Sequence, residues 1–382
     1  MKKSLFLITA ILCYICLLLL PEQGVWAADD KNVSLDYEDI AARVDRYNST
    51  IRIGKLSLSE AKNALDVAKQ ANKDRRGQRD SVDSSIGETQ DLINGGNLDE
   101  TQLKEAQSLL STLNQLSDSL RSQNTSQLER TIEAVTLQNA QSLAQLVNGA
   151  QQQFIRAWQL RLYIEQQQSK LAQAEAEVKK AQVKLNHGLG TAVALTEAKL
   201  QVSSAKTELT VMEHQWQSML AQLENYTGYK LGEIIALGEV PELDKDVLTA
   251  LHPLEDADKA IATNFALKLL RIDRINANST SAKRKIDIQI EQQEATVRQN
   301  IKQKYDVLLE TQTKLELAEA ELQQNEHLLK IAENSFKLGK ISQNALDKQI
   351  TAYTTKKIAQ QNAALTVVLE LSDYLSKVNG LN

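Results

Sequence analysis

The sequence predicts an all-α protein: elongated, antiparallel coiled-coil helical hairpins arranged as a tandem duplication. Three observations carry this reading. The 382 residues are rich in Ala, Leu, Gln, Glu, Lys and Ser, with only 14 Gly, three Pro and 4% aromatic side chains. These are mostly helix-compatible residues, and so few aromatics suit long packed helices better than a sheet-based core. Apolar residues recur in steps of three and four at Leu171, Ala174, Val178, Ala181 and Leu185. They stop at His187-Gly188-Leu189-Gly190-Thr191 and resume at Leu195, Ala198, Val202, Ala205, Leu209, Met212, Trp216, Met219, Leu223 and Tyr226. That is the period of a helix seated against a partner, and the glycine-bearing break is the turn of a hairpin. The third observation is that the pattern returns: Gly339 follows Gly188 by 151 positions.

The N-terminus reads Met1-Lys2-Lys3, then an apolar run from Leu5 to Leu20, then Val25-Trp26-Ala27. Positive charge, an apolar centre and a small-x-small site together describe a secretory signal peptide over 1–27, cleaved after Ala27 or, as second choice, after Ala28. A retained membrane anchor is the alternative. Cys13 and Cys16 lie inside the apolar run, and neither follows the small residues of a lipoprotein site. The mature chain would hold no cysteine, hence no disulfide and no thiol chemistry. No later stretch is apolar enough to span a membrane as a helix. Net charge is −5 with both signs interspersed. That argues against nucleic acid as a partner, which would need a basic face.

In order along the mature chain, residues 34–73 read as one amphipathic helix, with Val44, Ile51, Leu58, Leu65 and Ala68 among its apolar positions. Arg75-Arg76-Gly77 interrupts it, and a second piece covers 79–93. Gly95-Gly96 turns the chain into a third piece from Asp99 to Ser122, whose acidic start suits the helix dipole. Asn124-Thr125-Ser126 breaks the pattern, and Ser126 with Glu129 reads as a capping box. The next helix runs unbroken to Asn186, about 90 Å at the standard rise. Gln153 and Gln167 fall in its stripe; polar residues there fix register or mark a partly wet seam. A return helix over 192–226 spans roughly 50 Å and ends at Tyr226-Thr227-Gly228, where Gly suits a helix C-terminus. Residues 229–256 hold Gly232, Gly238, Pro241 and Pro253 and read as a connector, with Ile234–Leu237 as a short extended piece.

In the second half, a helix over 257–277 meets the turn formers of Asn276–Ser281; one continuous helix over 257–337 is the alternative. A long helix follows to Leu338, with Ile290, Val297, Ile301, Leu308, Leu315, Leu322, Leu329 and Phe336 on its stripe. The last helix, 343–378, has a doubled apolar face, which implies neighbours on two sides. At the 151-residue offset, Leu171, Val178, Ala181, Leu185, Thr191 and Leu195 meet Leu322, Leu329, Ala332, Phe336, Ser342 and Leu346, and Gly228 meets Gly380 with one residue of slip. Asn48-Ser49-Thr50-Ile51 resembles Asn264-Phe265-Ala266-Leu267. From Asn48 to Gly188 is 140 residues, and from Asn264 to Gly339 is 75, so the first half holds 65 extra residues. The chain thus divides into a first repeat over 28–228 with a helical insertion near 75–130, the connector 229–256, and a second repeat over 257–382.

At the two turns the sequence resembles the TolC-type outer membrane efflux family. The residues that carry this are Leu185-Asn186-His187-Gly188-Leu189-Gly190-Thr191 with Leu195-Thr196-Glu197-Ala198, and Phe336-Lys337-Leu338-Gly339-Lys340-Ile341-Ser342 with Ala345-Leu346. Each return helix then ends in Tyr226-Thr227-Gly228 or Val378-Asn379-Gly380. The resemblance covers about 34–380, except the 65-residue excess. It implies an exported homotrimer whose hairpins build a hollow periplasmic barrel, placed at the outer membrane or in the periplasm, or at the cell surface of a single-membrane bacterium. It also implies two partners, a membrane-fusion (periplasmic adaptor) protein and an inner-membrane transporter. By resemblance, Gly188, Leu189, Thr191, Leu338, Gly339, Ile341 and Ser342 form the tip that meets the adaptor. The plainer reading is that they only turn the chain. Two departures stand out. Family members carry strands that close an outer-membrane β-barrel, and no alternating segment of about nine to eleven residues occurs here. The expected fold is therefore TolC-like without the β-barrel. Some relatives also place acidic residues past the second glycine; here Ala345 and Lys348 flank Asp347.

No chemistry is legible beside this. His187, His214, His252 and His327 are scattered without ligand spacing, and there is no phosphate-cradling loop and no nucleophile elbow. Trp158 and Trp216 lie on or beside apolar stripes. The sequence predicts no catalysis, no metal and no cofactor. It predicts a component of an efflux duct; the alternative is an extracytoplasmic coiled-coil scaffold that has lost transport along with its barrel.

Overall fold

The computed structural model of the protein describes residues 33–95, 100–121, 125–243 and 245–381. The signal peptide over 1–27, the turn at Gly96 and the break at Asn124 lie outside the described residues. The helices are α1 (Asp39–Tyr47), α2 (Ser49–Asn94), α3 (Glu100–Ser119), α4 (Ser126–Asn186) and α5 (Ala192–Thr227), then α6 (Lys245–Thr249), α7 (Pro253–Thr263), α8 (Phe265–Asn276), α9 (Thr280–Lys337) and α10 (Gln343–Val378). Among the described residues the strands are β1 (Val33–Leu35) and β2 (Ile234–Leu237), both too short to cross a membrane. Likewise, no helix there is long and apolar enough to cross one. The chain divides into two compact units, the first made of the chain up to Ser49, Gln141–Leu267 and the part from Gln289 on, the second of Thr50–Ala140 and Lys268–Ile288.

In the first unit the expected seams are the buried ones. On α4, Ala150, Phe154, Ile155, Ala157 and Leu162 are buried, and on α5 Leu195, Ala205, Leu220 and Leu223 face inward. Gly149 lets Tyr226 pack close: a β-carbon there would stand 3.3 Å from its hydroxyl. On α9, Val297, Ile301, Leu308 and Leu315 are buried, whereas Leu322 and Leu329 are half-covered and Phe336 is exposed, so the seam opens toward the turn. One cluster joins Ala257, Ala260, Leu267, Val297, Ile301 and Tyr374; another joins Leu308, Leu315 and Val367. Each fully buried aliphatic side chain of this kind contributes about 2 kcal/mol. The Tyr374 hydroxyl donates to Asp256 Oδ2 at 2.9 Å, tying α10 to α7. β1 and β2 pair in parallel, Val33 with Ile234 and Leu35 with Leu237. Buried Glu224 of α5 accepts the amide of Ile234 at 2.8 Å, and Trp158 of α4 donates its indole N–H to the Gly238 carbonyl at 2.7 Å. The predicted extended piece at 234–237 is thus a strand, and its partner at Val33–Leu35 was not predicted.

The two halves share a joint that the sequence reading missed. The helices expected over 34–73 and 257–277 are each broken, at Asn48 between α1 and α2 and at Asn264 between α7 and α8. Both asparagines leave the helical conformation (ψ 128° and 122°), and both donate their amide back to the preceding helix, to Val44 and Ala260. Their side chains then reach the end of the opposing return helix: Asn48 Nδ2 donates to the Tyr226 carbonyl at 3.1 Å, and Asn264 Nδ2 to the Gly380 carbonyl at 3.4 Å. The conformation is set by a partner more than 100 residues away, which local propensity does not contain. The continuous helix over 257–337 does not form either: Ser279 caps α9 by accepting the Ala282 amide at 3.1 Å.

In the second unit, α2 continues through Arg75-Arg76-Gly77, where an interruption was expected, to Asn94. A glycine in a helix interior costs only about 1 kcal/mol, and nothing packs on Gly77 to exploit its freedom. Helix α2 meets α4 where Asn139 Nδ2 donates to the Gly54 carbonyl at 2.8 Å, and again where Lys69 pairs with Glu129 at 2.9 Å. Ser126 is the first residue of α4, and Glu129 in that first turn is the partner of Lys69. Helix α3 joins α2 through buried Ser117, which donates to Asp83 at 2.6 Å and accepts from Arg79 at 3.3 Å.

Candidate functional site

The candidate site is the end of the first unit that carries the α4–α5 and α9–α10 turns. Both turns are built by the same backbone logic. A long helix leaves its last four carbonyls without intrahelical donors. At the first turn Gly188 adopts φ +72°, its amide donates to the Leu185 carbonyl at 3.0 Å, and the Leu189 amide donates to the Lys184 carbonyl at 2.8 Å. At the second, Gly339 adopts φ +67°, its amide reaches Phe336 at 2.8 Å, and the Lys340 amide reaches Ser335 at 2.8 Å. This crossed pair of bonds is the Schellman motif, and only glycine takes that left-handed φ without strain. Three residues after each glycine the return helix is capped. Thr191 Oγ1 accepts the Ala194 amide at 3.1 Å, and Ser342 Oγ accepts the Ala345 amide at 3.3 Å.

Of the residues singled out in the sequence, Gly188, Gly339, Thr191 and Ser342 therefore hold backbone. Leu189 and Leu338 point outward at 80% and 68% exposure, while Ile341 is half-buried. Last-turn lysines Lys184 and Lys337 stand beside the free carbonyl ends, where the helix dipole favours cations. The structure brings the two turns to the same end of the unit. Lys180 of α4 donates to Asn344 of α10 at 3.3 Å, and Gln173 donates to Thr351 at 2.7 Å.

Those two bonds belong to a longer ladder. Gln159 Nε2 donates to Thr366 at 3.0 Å, and Gln152 donates to Asp373 at 3.3 Å. The α4 members 152, 159, 173 and 180 are seven or fourteen residues apart, one heptad position facing α10. The flagged Gln167 lies on a different face; it is buried and donates to the Ala205 carbonyl at 3.3 Å and to Glu208 at 2.9 Å, locking α4 to α5. Ion pairs finish the layer: Lys206 with Glu175 at 3.7 Å between α5 and α4, and Lys356 with Glu321 at 2.7 Å between α10 and α9. The lateral order is thus α5, α4, α10, α9. The glutamine period was visible in the sequence and was the missed signal. Among the described residues no group of three His, Cys, Asp or Glu side chains could hold a metal ion.

No family model matches this sequence, and no curated protein does. Solved structures do match. The CmeC outer membrane channel of Campylobacter jejuni is 9% identical with a TM-score of 0.56, covering 95% of this chain and 94% of that one. A membrane protein from Pseudomonas aeruginosa is 11% identical with a TM-score of 0.54, covering 94% and 97%. The outer membrane protein VceC of Vibrio cholerae is 11% identical with a TM-score of 0.52, covering 91% and 97%. The chain has the fold of TolC-type outer membrane channels, and its described residues carry no strands that could form a barrel.

Proposed function

We propose that the chain is an exported, TolC-like helical duct component that acts as a homotrimer in the cell envelope. Its hairpin tips would dock a membrane-fusion adaptor protein, which connects to an inner-membrane transporter, and cargo would move along the helical barrel without chemical change. The observation that carries this reading is the repeated tip: two Schellman turns at one end of a four-helix layer, each presenting an exposed leucine. Gly188, Leu189, Thr191, Leu338, Gly339, Ile341 and Ser342 are the proposed contact set. The likeness in fold to outer membrane channels supports the reading. In this proposal 1–27 is the signal peptide, and the two repeats over 28–228 and 257–382 supply one hairpin each.

Cross-linking tests it directly, because the only cysteines are Cys13 and Cys16. Leu189→Cys and Leu338→Cys then place single thiols at the tips of the processed chain. A discrete trimer, with adaptor captured from either thiol, is the expected result. The scaffold reading is favoured by the lack of barrel-length strands among the described residues. A stable monomer or dimer that tolerates Gly339→Pro would establish it instead.

A further inference from the structure

The second unit carries a charge pattern that the duct reading does not use. Residues 268–288 hold six basic and two acidic side chains, a net charge of +4 in a chain whose total is −5. Three of the cations are consecutive, Lys283-Arg284-Lys285 in the opening turns of α9, and all three are exposed. Among the described residues none of the three takes part in an ion pair. Their position does not help the helix. Lys283 closes the first turn of α9, where a cation opposes the dipole and no acidic residue offsets it, while Arg284 and Lys285 lie in the second turn, beyond most of that effect. Capping is not their role either, since Ser279 already accepts the Ala282 amide and the Lys283 amide. A local rule broken without internal compensation points to an outside partner.

The neighbours complete a surface. Arg274 of α8 pairs with Asp287 of α9, fixing the two helices together across the 277–279 turn. One residue beyond each member of that pair stands an exposed isoleucine, Ile275 at 66% and Ile288 at 49%. Arg130 of α4 donates to Asn276, which adds a fourth cation to the patch. The acidic residues nearest along these helices are Asp273, Asp287, already paired with Arg274, and Glu291, and on α4 Glu129, already paired with Lys69, and Glu133. Cations interleaved with exposed aliphatic side chains suit a headgroup layer, where the charges meet phosphate and the apolar groups enter the acyl boundary.

We infer that the basic patch at the α8–α9 turn, Arg130 with Lys283, Arg284 and Lys285 around Ile275 and Ile288, docks peripherally on an anionic phospholipid surface. The contact is electrostatic with a shallow apolar part, and it weakens as salt shortens the screening length. It stands independently of adaptor docking.

The test is co-sedimentation of the full chain with vesicles of phosphatidylglycerol and phosphatidylcholine, against vesicles of phosphatidylcholine alone. Any binding by the apolar N-terminal run is common to wild type and variants, so the difference between proteins is the readout. Lys283→Gln, Arg284→Gln and Lys285→Gln together should weaken binding to anionic vesicles by about a hundredfold, since each cation near such a surface contributes roughly a fivefold factor. Lys283→Gln alone should weaken it about fivefold, which keeps the test valid if the triple variant loses helicity. Equal binding to both vesicle types, or undiminished binding by the triple variant at native helicity, overturns the inference. So does a soluble-polyanion pattern: polyphosphate competes fully while Ile275→Ser with Ile288→Ser changes nothing.

Discussion

Gly188, Gly339, Gly228 and Gly380 all adopt positive φ, but their surroundings differ. A β-carbon at Gly188 or Gly339 would meet nothing within 4 Å, whereas at Gly228 it would stand 2.5 Å from Tyr47 Cβ and at Gly380 2.6 Å from the Thr263 carbonyl oxygen. Alanine at either tip should therefore cost only the left-handed strain, about 1–2 kcal/mol. At Gly228 or Gly380 it should cost an overpacking penalty of about 1–3 kcal/mol in addition. Urea denaturation of the four variants should rank them in that order. A second residue-scale effect concerns pH. Burial pushes the Tyr37 phenol above its ordinary range. It does the same for Tyr374, whose proton is held further by the hydrogen bond to Asp256 and by the Asp256 charge. Since the folded chain keeps these protons above pH 10 while unfolded tyrosines lose theirs near 10, their stability contribution is complete below about pH 10 and falls as pH rises past it. Thermal melts across that range should show the decline, and Tyr374→Phe should flatten it at some cost in stability at neutral pH.

At the scale of elements, the hairpins are joined by unlike seams. Helix α4 meets α5 through apolar steps plus the buried Gln167 lock, but it meets α10 through a polar ladder of Gln152, Gln159, Gln173 and Lys180. The neutral members, from Gln159 to Thr366 and from Gln173 to Thr351, contribute about 0.5–1.5 kcal/mol each. Gln159→Ala with Gln173→Ala should thus lower stability by roughly 1–3 kcal/mol, with faster amide exchange along α10 than along α5. If both return helices loosen equally, the ladder is not what couples the hairpins. The sequence made the apolar seams legible because a three-four period is a one-dimensional signal. It made the ladder legible too, as glutamines every seven residues, but polar residues on a helix are read by default as a solvated face.

At the scale of the whole molecule, the proposed tip contact can be tested apart from folding. Leu189 and Leu338 are mostly exposed, so Leu189→Asp with Leu338→Asp should leave the melting temperature within about a degree or two, as surface changes usually lie within ±0.5 kcal/mol. The same pair should abolish capture of the adaptor proposed above. A large fall in melting temperature would assign these leucines to packing rather than to docking.

Helix lengths and turn positions were already decided at the level of the chain. The boundaries Ser126–Asn186, Ala192–Thr227 and Gln343–Val378 follow from periodicity, glycine and hydroxyl caps, all of which act within a few residues. The repeat itself was readable for the same reason. What required the folded molecule were the features whose partners are remote: the breaks at Asn48 and Asn264, and the pairing of Val33–Leu35 with Ile234–Leu237. In each case the deciding energy comes from a group that sequence distance hides. The unbroken passage of α2 through Gly77 is the converse, a weak local break signal outweighed by the cooperativity of the helix on either side.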